Sequence, residues 1–197
     1  LGHLFAGIFL GMRVEKIEIQ PFGFSVSFKI KPTDYNKKIK KGNILEIKKM
    51  LIALAGPLTN FLIIILMFYS KFNIFEEKLV IYTNILIIIF NMLPVYPLDG
   101  GRILKGILHI KYGNKKSYDY INKISFYTTV LLTAISSIAI LYIKNIAIFL
   151  GIIVIWTLFL KEDKKYKIKS KIYKMIEEKS DIKYISKCEQ SIENKIN

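Results

Sequence analysis

Two ionisable side chains stand in otherwise uncharged stretches of this sequence, and chemistry would sit there. Asp99 lies near the end of Asn91-Met92-Leu93-Pro94-Val95-Tyr96-Pro97-Leu98-Asp99-Gly100-Gly101-Arg102. Two prolines remove backbone donors from this run, and two glycines permit unusual dihedrals. An irregular backbone at membrane depth survives only where it is buried in protein or lines a wet cavity. His3 lies in the apolar stretch Leu1-Gly2-His3-Leu4-Phe5-Ala6-Gly7-Ile8-Phe9-Leu10. Polar groups inside a membrane are costly and tend to be functional. Each residue also has a plainer reading. Asp99 could cap a helix just past the membrane, with Arg102 as a nearby ion partner. A lone histidine is commonly a satisfied core or interface residue. His109, beside Lys111, reads as a cytoplasmic surface residue.

The elements that must position these residues are apolar runs of spanning length. Met50 to Tyr69 holds twenty residues without a charge. At about 1.5 Å per residue it covers roughly 30 Å, the thickness of a hydrocarbon core. Leu79 to Leu98 is also uncharged, interrupted by Asn84, Asn91, Pro94 and Pro97; Ile124 to Ile143 is a third run, and Asn145 to Leu160 a shorter fourth. A soluble helical bundle would show a polar stripe near a period of 3.6, and Leu62 to Phe68 and Ile85 to Phe90 show none. The fold class expected is therefore an all-α polytopic membrane protein, a bundle of transmembrane helices.

Hydrophobic residues make up 52% of the chain, and the formal net charge of +15 falls almost wholly between the apolar runs. A nucleic-acid binder would gather its basic residues on one folded face, so no nucleic-acid partner is expected. The single cysteine, Cys188, excludes an internal disulfide framework and a cysteine-rich metal site. No secretory signal is expected, because residues 4–10 lack a basic leader. Lys29 to Lys49 carries eight lysines and two acids, Arg102 to Lys123 is again basic, and the tail from Lys161 is lysine-rich. Basic loops stay cytoplasmic. The expectation is a multi-pass cell-membrane protein with residues 13–49, 102–123 and 161–197 in the cytoplasm and the loops at 70–78 and near Lys144 outside.

Within the first loop, Phe24, Val26 and Phe28 alternate with Ser25 and Ser27 at a strand period, and Pro21-Phe22-Gly23 supplies a turn. A small β-hairpin-like cytoplasmic loop is expected there. Val14, Lys16 and Glu18 alternate poorly. Residues 1–160 read as the membrane core and 161–197 as a basic cytoplasmic tail. That tail reads as a linker, a partly formed amphipathic helix around Ile172 to Ile176, or the start of a further domain.

The order of three blocks carries a resemblance. Leu1-Gly2-His3 fits the last three positions of H-E-L-G-H, a membrane form of the H-E-x-x-H zinc motif. Ala55-Gly56-Pro57-Leu58-Thr59-Asn60 follows, and then the Asn91 to Arg102 run. Across roughly residues 1–110 this sequence resembles the site-2 protease family of intramembrane zinc metalloproteases, with the short first loop pointing to the stage IV sporulation protein FB branch.

The resemblance implies two histidines and one aspartate as ligands of a catalytic Zn2+, with His3 matching the second histidine and Asp99 the aspartate. It implies that Asn91 and Pro94 belong to the loop that accepts an extended substrate strand. The first histidine and the general-base glutamate are expected upstream of Leu1. The chain, which opens on leucine, is thus expected to be an N-terminally incomplete core, inactive as given, with no catalytic residue of its own. Expected partners are the lipid bilayer, a membrane-tethered protein substrate and inhibitory membrane proteins. Abundant Ile, Lys and Asn point to an AT-rich bacterial genome and so to a sigma-factor precursor as substrate. Two rivals stay open: a non-catalytic pseudoprotease or scaffold, and a small transporter with Asp99 at a broken helix.

Overall fold

The computed structural model describes residues 2–20, 23–29, 39–69, 77–143 and 146–196. The expected turn at Pro21-Phe22 and the exterior loops at 70–76 and Lys144 lie outside the described residues. The elements are α1 (Gly2–Phe9), β1 (Arg13–Gln20), β2 (Gly23–Lys29), α2 (Ile39–Tyr69), α3 (Glu77–Asn91), α4 (Asp99–Ile143) and α5 (Ile146–Ile196). Two compact units are present, residues 1–159 and 160–197.

The protein is an all-α membrane protein carrying one small hairpin. Two helices, Gly42–Tyr69 and Asp99–Tyr142, are long and apolar enough to cross a membrane, among the described residues. Only 17% and 11% of their most apolar windows are buried. Leu58, Phe61, Leu62, Leu66 and Phe68 on α2 are exposed, as are Leu131, Ile135 and Ile138 on α4. Such a surface is stable against lipid and unstable against water. The apolar run Leu79–Leu98 is helical only as far as Asn91. Pro94 and Pro97 cannot donate to a helical ladder, so the remaining residues form an irregular segment.

In the hairpin, β1 pairs antiparallel with β2, with a register shift between Val14 and Lys16. The extra residue there explains the poor alternation in the sequence. Val14 stands opposite Phe28, Ile17 opposite Val26 and Ile19 opposite Phe24, so an odd spacing on β1 still meets an even spacing on β2. The Phe28 ring lies where a Cβ on Gly7 would sit, which seats the hairpin against α1.

α1, α3 and α4 all pack on α2. α4 is two legs, because Gly113 has φ 79° and ψ 174°, a conformation open in practice to glycine alone. The chain folds back there. Lys105 Nζ lies 3.8 Å from the Tyr118 ring centroid, and the Tyr112 and Tyr120 rings are 5.2 Å apart. Thirteen residues of straight helix would separate Lys105 from Tyr118 by about 20 Å. The second leg then carries the apolar run Ile124–Ile143. α5 meets it where Trp156 Nε1 donates to Thr133 Oγ1 at 2.9 Å and Phe159 lies against Phe126.

Two local expectations change. His109 is not simply a surface residue: its Nδ1 is buried and has no hydrogen-bond partner among the described residues. The tail is neither linker nor partial helix, since α5 continues to Ile196. Within unit 160–197, Lys165 pairs with Glu162 and Lys167 with Asp163, at spacings of three and four that support a helix.

Candidate functional site

α1 crosses α2 at close range because both present glycine. A Cβ on Gly2 would lie 2.7 Å from the Ala55 carbonyl oxygen. One on Gly56 would lie 2.5 Å from His3 Nε2 and 3.1 Å from Asp99 Oδ2. The Ala-Gly-Pro block of α2 is thus the floor on which the Leu-Gly-His block of α1 rests. Pro57, inside α2, carries no N–H for the Ala53 carbonyl. One residue earlier, the Ile52 carbonyl oxygen lies 2.7 Å from His3 Nδ1.

Asp99 reaches the same point from the other side. The Arg102 N–H bonds the Leu98 carbonyl at 2.9 Å, so Leu98 caps α4 and Asp99 is its first helical residue. The Asp99 carboxylate makes no bond to its own helix. It is buried and points at His3, with Oδ2 3.4 Å from Nε2. Arg102 is not its ion partner; Nε donates instead to the Pro97 carbonyl at 2.9 Å. The plain cap reading of Asp99 therefore fails on geometry.

The pair offers two ligand atoms to a cation. A carbonyl oxygen only accepts, so Nδ1 holds a proton for Ile52. With neutral His3 the lone pair of Nε2 faces a carboxylate oxygen and the two would share a cation; protonated His3 would pair with Asp99 directly. Zinc bonds of about 2.0–2.1 Å at a tetrahedral angle separate two ligand atoms by about 3.3 Å. The 3.4 Å found is close to that edge and longer than a charge-assisted hydrogen bond of about 2.7–2.9 Å. A second bond fixing the other ring nitrogen is also usual for metal-binding histidines. His3 and Asp99 thus fit two of the three protein ligands of a catalytic zinc. Among the described residues no group of three His, Cys, Asp or Glu side chains gathers.

The segment 92–98 holds Asp99 in line, and its donors can be counted completely. Met92 N–H bonds Ile88 O at 2.9 Å, Leu93 N–H bonds Phe90 O at 3.3 Å, Val95 N–H bonds Leu93 O at 2.8 Å, and Leu98 N–H bonds Val95 O at 2.8 Å. Pro94 and Pro97 have no N–H. Tyr96 reaches much farther along the chain, donating to Ser125 Oγ at 2.9 Å. No donor is left bare, as a low-dielectric surrounding demands. Val95 is fully buried and packs with Leu98 and Ile155, flanked by Phe90, Leu93, Leu132 and Leu158. A Cβ on Gly101 would lie 2.5 Å from Tyr96 N, so the segment's backbone rests directly on α4.

Asn91 ends α3 and Pro94 lies in the segment, both half-buried; Asn60 is half-buried on α2. The Asn91 side chain has no hydrogen bond to a described residue. Sequence reading missed Ser125 and Lys105. The signal for Ser125 was present: between two prolines, Tyr96 carries an N–H with no helical acceptor.

Residues 73–135 match peptidase family M50. The chain is 38% identical over 125 residues to a zinc metalloprotease of Methanocaldococcus jannaschii, covering 59% of this chain and 33% of that protein. It is 28% identical over 108 residues to stage IV sporulation protein FB of Bacillus subtilis, covering 53% of this chain and 34% of that protein. The match therefore spans about a third of the length of these curated relatives.

Proposed function

We propose that the chain is a member of peptidase family M50, the site-2 protease family, similar to its stage IV sporulation protein FB branch, and that it forms the core of a zinc-dependent intramembrane protease. His3 and Asp99 are two of the zinc ligands. In a protein carrying the whole H-E-L-G-H motif, its first histidine and its glutamate would supply the further ligand and the general base. The observation that carries this reading is the 3.4 Å approach of His3 Nε2 to Asp99 Oδ2 with Nδ1 already committed to Ile52.

Bound zinc supplies Lewis acidity, bringing the pKa of a water toward neutrality and polarising the scissile carbonyl. The chain's own residues do the rest of the positioning. The Ile52 carbonyl fixes the His3 ring and its tautomer. Asp99 brings a negative charge into a buried place, where it acts at low dielectric. Gly56 keeps the space between the two ligands open. A substrate helix hides its peptide carbonyls in its own ladder and must unwind before cleavage. Asn91, whose amide has no hydrogen bond to a described residue, offers one donor group and one acceptor to the unwound strand. Pro94 keeps the neighbouring backbone out of a helix.

The protein is a multi-pass membrane protein with residues 13–49, 102–123 and 161–197 in the cytoplasm and 70–78 and Lys144 outside. Lys48 Nζ donates to the Leu10 carbonyl at 2.8 Å, which supports one level for the end of α1 and the basic start of α2. Residues 1–160 form the protease core and 161–197 a cytoplasmic tail. The substrate is membrane-tethered, a sigma-factor precursor in a spore former, with inhibitory membrane proteins as further partners.

Cleavage of a quenched-fluorescent peptide containing one apolar transmembrane segment tests the reading in the full-length protein. Asp99→Asn keeps the volume of the side chain but is a poorer zinc ligand. It is expected to insert at normal abundance and lose cleavage. Full cleavage by Asp99→Asn would contradict Asp99 as a zinc ligand, and absence of cleavage by the wild type would leave a membrane scaffold as the better account.

A further inference from the structure

Lys105 is the second unusual charge of this protein, after Asp99. It is 9% exposed. Its ammonium has no carboxylate partner among the described residues and lies over two rings instead, 3.8 Å from the centroid of Tyr118 and 5.0 Å from that of Tyr96. Removing an ammonium from water is costly, and aromatic faces return only part of that cost. As a filler of space, a methionine of similar length would serve at least as well. The charge is therefore doing something that volume alone does not.

What it touches gives the role. Tyr96 lies in the segment between Pro94 and Asp99. Its ring faces the Lys105 ammonium on the first leg of α4. Its N–H donates to Ser125 Oγ on the second leg, and Ser125 is 1% exposed. Tyr118, the other ring beneath the ammonium, belongs to that second leg as well. Only the fold-back at Gly113 brings these groups to one residue. Every other N–H of the segment is satisfied within six residues of its own position; among the described residues, Tyr96 makes the segment's one backbone N–H bond to a distant part of the chain.

We infer that Lys105 and Ser125 are positioning residues that clasp Tyr96, one by its ring and one by its backbone, and so hold the 92–98 segment against α4 with Asp99 in register with His3. The inference rests on the protease reading for its consequence and on the geometry alone for the clasp. Neither residue touches the reacting atoms. Both act through Tyr96. Lys105→Arg preserves a cation over the rings, whereas Lys105→Met preserves only the packing.

Two readouts on the full-length protein in lipid nanodiscs separate the clasp from the protease reading. Amide hydrogen exchange at Tyr96 is expected to speed at least about tenfold in Ser125→Ala and Lys105→Met and to stay within about threefold of wild type in Lys105→Arg, since opening of the segment controls that exchange. With the quenched-fluorescent transmembrane peptide, kcat is expected to fall about tenfold in the same two variants, to recover in Lys105→Arg, and to do so at unchanged zinc content, because a misplaced reacting group lowers turnover. Unchanged exchange in both variants would overturn the clasp. Faster exchange with unchanged kcat would overturn its positioning role. Absence of cleavage by the wild-type protein would instead remove the protease reading, and the exchange result would still decide whether the clasp exists.

Discussion

His3 and Asp99 arrive at one point by different means. His3 stands on a regular helix, and its place is set by how closely two helices approach, a distance fixed by Gly2 and Gly56. Asp99 stands at the end of an irregular segment, and its place is set by individual bonds: Tyr96 to Ser125, Arg102 to Pro97, Leu98 to Val95. Helix packing positions a residue through small side chains and tolerates no added volume. An irregular segment positions a residue through polar partners and tolerates no lost bond. The two halves of the site should therefore fail to different kinds of mutation.

The largest effect is expected from added volume on the His3 side. Gly56→Val puts a Cβ 2.5 Å from Nε2 and 3.1 Å from Asp99 Oδ2. Cleavage of the transmembrane peptide should fall to background, with bound zinc lost in parallel, as read by activity and metal analysis on the same sample.

A smaller but large effect is expected where the Asp99 segment rests on its own helix. Gly101→Ala meets backbone rather than a flexible side chain, with Tyr96 N at 2.5 Å and Val95 O at 2.6 Å. Overpacking of this kind costs about 1–3 kcal/mol. Thermal unfolding in detergent should shift down, and kcat should drop by roughly 10- to 100-fold through displacement of the segment.

The control that sharpens the contrast lies further along α4, away from both ligands. Thr129, Thr133 and Ser137 each donate to the carbonyl four residues back, and Thr133 also accepts from Trp156. Thr133→Val removes the acceptor for Trp156 together with the local bond to the Thr129 carbonyl. Hydrogen bonds between membrane helices are worth about 0.6 kcal/mol on average. A small loss of thermal stability with unchanged cleavage is expected.

How much of this was legible in the sequence follows from the same contrast. The runs Met50–Tyr69 and Ile124–Ile143, which fall in the two helices long and apolar enough to cross a membrane among the described residues, were legible because absence of charge over twenty residues is a local signal. The break at Pro94 and Pro97 was legible because proline acts on its own backbone. His3 and Asp99 were paired through their motifs and not through spacing, since 95 intervening residues leave no periodicity to read. Ser125 was not legible as more than one hydroxyl in an apolar run. Its role exists only because Gly113 reverses α4 and brings Tyr96 within reach. Lys105 was read as one more basic loop charge, since burial between two rings is a tertiary property. The hairpin was legible on β2, where alternation is clean, and obscured on β1, where one extra residue at the register shift moves the apolar positions out of phase. His109 failed in the opposite direction: a polar neighbourhood in sequence does not keep Nδ1 out of a packed interior.

The central claim is that His3 and Asp99 hold one zinc ion together. Metal analysis of the purified full-length protein tests it most directly, with no need for a substrate. The wild type is expected to carry about one zinc per chain, and both His3→Ala and Asp99→Asn to fall well below half of that at equal abundance, because each removes one of three protein ligands. Full zinc occupancy in both variants would contradict the account, whatever their activity.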